Sequence, residues 1–221
     1  MRYVTILLII FVQLLLGGCS TQPTAVGTGP QAMAEGVADA PIQQLPDNPY
    51  LKGRASVSAD AQRQFEQARV LVEQEDWQGA LLKLQALSQA NPRLSGPSLN
   101  LALVYQQLGD AEQAQRCFQQ SINNNPRNIA AYNEYGIFLR KQGRFKEAET
   151  IYLKALEEWE ASAETHLDIG ILYDLYLGES GKALQHYHRY QSLTGKQDQI
   201  VAGWITDLEH QNVPMAKGDQ Q

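Results

Sequence analysis

Four histidines, His166, His186, His188 and His210, are the first residues to test for chemistry. A metal site would ask for two of them one helical turn apart, or for a Cys-x-x-Cys pair, and neither spacing occurs. His186 and His188 stand two apart in a stretch that reads as helix, so they point to different sides. His166 shares a column with Tyr132 that reads as interior. Cys117, beside Phe118, has no histidine at an activating spacing and reads as a small, half-buried apolar residue. The carboxylates at Glu157-Glu158 and at Glu73, Glu75 and Asp76 fit solvated helix faces and turns. No glycine-rich phosphate loop and no Gly-x-Ser-x-Gly element occurs. The sequence offers no catalytic residue, no metal-ligand set and no cofactor motif, so recognition is the chemistry to look for.

Charge narrows the partner. The 221 residues carry 18 Lys and Arg against 24 Asp and Glu, a formal net charge of −6, with no basic cluster. That balance argues against nucleic acid as the main ligand.

The elements that must position such a surface begin after a leader. Met1-Arg2-Tyr3 is a short, positively charged start, and Val4 to Leu16 is apolar except for Thr5 and Gln13. That run is too short to span a bilayer and fits the apolar part of a secretory signal, placed at residues 1–18. Leu16-Gly17-Gly18-Cys19 follows and resembles the lipobox of bacterial lipoproteins. The resemblance implies cleavage before Cys19, acylation of Cys19 as the lipid attachment site, and a membrane anchor. Several acyl chains on one residue hold firmly where one does not. Ser20 in place of Asp implies, by the same resemblance, sorting to the outer membrane with the domain facing the periplasm. The other reading is an ordinary signal peptide with a chance cysteine. If Cys19 is lipidated, Cys117 has no partner for a disulfide, and the fold must stand on helix packing.

Residues 19–58 hold the lipidated cysteine and a stretch rich in Pro, Gly, Ala, Gln and Thr without hydrophobic period, expected as a flexible tether. Its reach is about 35 Å by square-root scaling. Residues 59–193 then carry a repeat. Ala68, Ala102, Gly136 and Gly170 recur at an interval of 34, in step with Leu71, Tyr105, Leu139 and Tyr173. Ala80, Ala114 and Ala148 follow, with Ala183 one residue late, and then Leu84, Phe118, Tyr152 and Tyr187. Gly109 aligns with Gly143, and Asn91-Pro92 with Asn125-Pro126.

This small-large-small pattern resembles tetratricopeptide (TPR) repeats. The implied fold is all-α, a solenoid of about four helical hairpins, each of an A helix and a B helix. The small residues allow the helices to approach, the aromatic column fills the gap to the next unit, and the glycines end the A helices. Two departures are visible. The fourth repeat has one extra residue between Tyr173 and Ala183, which predicts a distorted turn or a longer A helix. The third has Trp159-Glu160 where a proline stands elsewhere, which predicts a less regular junction.

Residues 194–212 read as a helix with Ile200, Val201, Trp204, Ile205 and Leu208 on one stripe. A solenoid needs its last apolar face covered, so this is the expected capping helix. A homo-oligomer surface through the Trp204 helix is the other reading. Residues 213–221 are a polar tail.

In TPR solenoids the A helices line the concave face. By resemblance the partner-binding groove is Phe65, Arg69, Leu99, Leu103, Asn133, Ile137, Arg140, Lys141, Leu167 and Ile171. Its apolar lining suits an extended segment or an amphipathic helix. The alternative is that Leu103, Ile137 and Ile171 only pack between A helices. The lining lacks the Lys and Asn set with which some TPR domains clamp a terminal carboxylate. Anchor, tether and solenoid together, with Asn133-Glu134-Tyr135-Gly136-Ile137-Phe138-Leu139, are similar to the pilotin-like lipoproteins of type IV pilus systems. That resemblance implies an adaptor that helps a secretin reach or assemble in the outer membrane. Other readings are an accessory lipoprotein of a TonB-type or cell-wall system, and a self-assembling structural lipoprotein.

Overall fold

The computed structural model describes residues 47–52, 57–195 and 198–211. The expected leader, Cys19, most of the tether and the tail at 213–221 lie outside the described residues. Within them every regular element is helical, and no strand occurs.

A single turn, α1 (Pro49–Lys52), falls inside the stretch expected to be tether. It starts where Tyr50 N–H donates to Asn48 Oδ1 at 2.9 Å. Four antiparallel pairs follow. They are α2 (Ala59–Glu73) with α3 (Trp77–Ala90), α4 (Ser95–Gln107) with α5 (Ala111–Asn124), α6 (Ile129–Lys141) with α7 (Phe145–Glu158), and α8 (Ala163–Leu172) with α9 (Ser180–Thr194). Each B helix also packs on the following A helix, and α10 (Gln199–Gln211) closes the row against α9. The all-α hairpin solenoid of four repeats with a terminal helix is therefore the observed fold.

The ends of the helices explain the spacing. Ser58, Asp76, Asp110 and Ser162 each accept an N–H from three residues on, at Ala61, Gly79, Gln113 and Thr165. Each A helix stops where the chain turns left-handed, at Glu75 (φ 58°), Gly109 (79°), Gly143 (73°) and Gly178 (65°). In the first three repeats the carbonyls of Leu71, Tyr105 and Leu139 accept from the N–H five residues later, at 2.9 Å. In the fourth, Tyr173 accepts from Glu179, six residues later, also at 2.9 Å. The extra residue is taken up by one π turn, Tyr173–Leu177. Gly178 then reverses the chain as its counterparts do. The helix widens, and the turn itself stays as it was.

Glu75 is the exception in that column, a side-chain residue where three glycines stand. A left-handed conformation costs an ordinary residue about 1–2 kcal/mol. The Glu75 side chain is exposed. Glu75→Gly should therefore stabilise the first repeat by about 0.5–1 kcal/mol, a gain partly offset by the entropy of glycine in the unfolded chain. Urea unfolding midpoints test this; an unchanged or lowered midpoint refutes it.

The junction after the third repeat is regular, contrary to the expectation from its missing proline. Trp159 ends α7 in extended backbone (φ −152°, ψ 92°), much as Asn125 ends α5 (φ −153°, ψ 98°). Ser162 N–H returns to the Trp159 carbonyl at 3.1 Å, matching Asn128 to Asn125 at 3.0 Å. Half-buried Trp159 packs against Ile129, Tyr132 and Ala155, so an aromatic contact holds the bend that proline favours elsewhere.

One continuous core joins all four hairpins and α10. The small-residue column and the aromatic column meet in it, and their sizes are matched. Ala68 and Ala102 go with Leu84 and Phe118, while Gly136 and Gly170 go with the larger Tyr152 and Tyr187. A Cβ on Gly136 would fall within 2.5 Å of Tyr152 Cζ, and one on Gly170 would lie 2.6 Å from Tyr187 Cε1. On α10, Val201, Ile205 and Leu208 are buried in the same core. Trp204 lays its ring against Tyr187 at 5.6 Å, and Ile200, expected on the same stripe, is exposed.

Candidate partner-binding groove

The A helices α2, α4, α6 and α8 carry every groove residue expected from the repeat, with Ile171 and those at 140–141 lying toward or at the helix ends. Phe65, Leu99, Leu103, Leu167 and Ile171 are half-buried, each packing against the core with one side and open on the other. Ile137 is half-buried too. The apolar lining is thus present as a partly covered strip.

The polar points differ from the sequence reading. Arg69 is exposed and already paired on its own helix, with Glu66 at 2.6 Å and Glu73 at 2.6 Å. Asn133 is not presented to solvent at all, being 1% exposed. Its Oδ1 accepts from Thr165 Oγ1 at 2.7 Å, tying α6 to α8, while its Nδ2 is buried without a partner. Arg140 lies over the Tyr176 ring at 5.6 Å. Lys141 is exposed.

Two features of this face escaped the sequence reading. A hollow of about 1180 Å³ opens beside the first turns of α2 and α4. Tyr50 of α1, Phe65 and Leu87 give it an apolar wall, and Arg93 and Arg127 stand at its edge. Neither arginine forms an ion pair among the described residues. Their recurrence at the repeat interval, directly after Asn-Pro, was the available signal. The second feature is acidic. Glu134 of α6 and Asp168 of α8 occupy one column of the repeat, with Glu164 a turn before Asp168. Burial, then Glu164 and Glu134, push the Asp168 carboxyl up to about 7 against the pull of Arg140. Burial first and Glu164 second also raise Glu134. Tyr152, wholly buried, has a hydroxyl with no partner, and Asp168 is the foremost charge acting on it.

The histidines also gain a setting. His166 Nε2 donates to the Glu160 carbonyl at 3.0 Å, which leaves its Nδ1 to accept from His186 Nδ1 at 2.9 Å. His166 is buried, as its column implied. Burial holds both rings neutral, and His186, pressed further by His166 and Lys182, falls to about 4. Among the described residues no three His, Cys, Asp or Glu side chains gather to hold a metal ion. Cys117 is buried, and burial pushes its thiol up to about 11, away from a reactive thiolate.

Comparison with known proteins rests on this geometry. Residues 99–163 match the tetratricopeptide repeat family model. The fold is a tetratricopeptide-repeat solenoid. Among solved structures, the TPR fold here is similar to PilF of Pseudomonas aeruginosa, with TM-score 0.60, 19% identity and 68% of each chain covered. It is also similar to TTC0263, a TPR protein of Thermus thermophilus, with TM-score 0.57, 20% identity, and 69% of this chain and 82% of that one covered. YrrB, a TPR protein with an unusual peptide-binding site, matches with TM-score 0.53 and 19% identity over 66% of this chain and 74% of its own. In sequence, the photosystem I assembly protein Ycf3 of Rippkaea orientalis is 39% identical over 67 residues, which are 27% of this chain. The match spans 39% of that relative's length.

Proposed function

We propose that this chain is a lipid-anchored adaptor of the bacterial envelope whose TPR groove holds a segment of a partner protein during assembly of an envelope complex. The observation that carries the reading is the strip of half-buried apolar side chains along α2, α4, α6 and α8, which keeps open area on a rigid support. A solenoid that hides its apolar residues in one core has no stability reason to leave such a strip uncovered. The lipobox-like Leu16-Gly17-Gly18-Cys19 supports the anchor and an outer-membrane address. Ycf3 is by its name an assembly protein, and YrrB has a peptide-binding site, so similar solenoids serve comparable roles. The pilotin-like resemblance makes a secretin of a type IV pilus system the first partner to look for.

The test is in-cell photo-crosslinking from Leu103 and Ile137, with a control probe at exposed Glu157 on α7. The expected result is one envelope protein captured at both groove positions and absent from the control. Capture of the same set at all three positions, or only of the chain itself, overturns the groove as the binding face.

A further inference from the structure

We infer that the groove takes a basic side chain, a lysine or arginine of the docked segment, at the acidic niche between α6 and α8. This deepens the groove reading above and rests on it. Half-buried Glu134 and Asp168 and exposed Glu164 lie on two packed helices and repel one another, and none has a hydrogen bond or ion pair among the described residues. Arg140, which lies over the Tyr176 ring, pulls on Asp168, and Lys141 pulls on Glu134, but neither closes an ion pair with them. Tyr152, fully buried, brings an unpartnered hydroxyl to the same charges.

Partly buried carboxylates without a cation are costly, and a folded chain normally supplies one. Elsewhere this chain does so. Half-buried Glu149 has Lys146 at 3.1 Å and Lys182 at 3.7 Å. Glu134 and Asp168 have no such close ion pair, and they share their helices with Ile137 and Leu167. A metal ion does not fit, because the three carboxylates are not gathered closely enough to share one. A lysine ammonium has three donors on a four-carbon stem, and an arginine has five in a planar fork. Either reaches the half-buried Asp168 carboxyl while its stem lies along the apolar strip. An acidic or phosphorylated segment would meet repulsion at the same place. The expected segment therefore pairs apolar anchors with a basic residue.

A random library of 12-residue peptides panned on the full-length protein tests this, in parallel with Asp168→Asn and Ile137→Gln. Expected are peptides enriched in Lys or Arg beside apolar residues, weakened about tenfold or more by Asp168→Asn and also weakened by Ile137→Gln. Peptides that need Ile137 but lack basic residues, or ignore Asp168→Asn, overturn the acidic niche and leave the groove standing. Recovery of no peptide, or of peptides indifferent to Ile137→Gln, overturns the groove reading itself. Circular dichroism on each variant separates lost binding from lost fold.

Discussion

Gly136→Ala destabilises the fold by about 2 kcal/mol, although alanine is the better helix former by about 1 kcal/mol. The added methyl meets the Tyr152 ring edge, which is fully buried and has nowhere to retreat. Either the ring leaves its rotamer or α6 moves away from α7, and both loosen the packing of the third repeat. The first repeat supplies the remedy, since it pairs Ala68 with Leu84 in the same two columns. Tyr152→Leu alone leaves a cavity and costs about 2–4 kcal/mol. Combined with Gly136→Ala it should cost about 1–2 kcal/mol less than the two changes summed, because each makes room for the other. Chemical denaturation of the four proteins measures the coupling. Strict additivity would mean that the two columns do not touch in the way the structure has them.

Asp168→Asn should do the opposite and stabilise the protein, by about 1–3 kcal/mol at pH 8, with almost no effect near pH 4. The sign follows from which state holds the proton. Asp168 titrates near 7 in the folded chain and near 3.8 when unfolded, so the folded state keeps its proton longer. Its favourable contribution is complete below about 4 and is lost as pH rises through about 7. Asparagine removes that loss. Arg140 and Glu134 on α6, Tyr152 on α7 and Glu164 on α8 are the groups that face it. His166 and His186 act in the other direction, being held neutral by burial. The His186 contribution is present above about 6.5 and fades as pH falls toward about 4, and that of His166 fades in the same direction. Both proteins contain that pair, so the difference between their stability–pH curves isolates Asp168 to first order. A difference that stays flat from pH 4 to pH 8 would refute the buried carboxylate. A residue that weakens its own fold at neutral pH is of the kind retained for binding.

These effects bear on what the sequence discloses. Columns of small and large residues are packing constraints, and packing recurs identically in every unit, so Ala68, Ala102, Gly136 and Gly170 reveal the solenoid at once. The extra residue after Tyr173 was visible too, but its resolution into a π turn was not, because several backbone paths absorb one residue. Polar residues were harder. Asn133 occupies a groove position by count, yet Thr165 of the next repeat draws it inward, and that pairing depends on one neighbour. Glu134 and Asp168 recur at the repeat interval, but nothing in the sequence sets them apart until their burial is seen. Tyr50 lies in sequence that reads as linker and gains its place only from the wall of the hollow above it.

The π turn bears on how such an array can change length. Each residue inserted into a regular helix rotates everything beyond it by about 100°. An insertion in the middle of α8 would swing Leu167 or Ile171 off the strip and carry α9 out of register. At Tyr173–Leu177 the surplus is contained within five residues, and Gly178 hands the chain on in the orientation the other repeats use. The end of the A helix is thus the place where this solenoid gains or loses a residue without disturbing the stacking on either side.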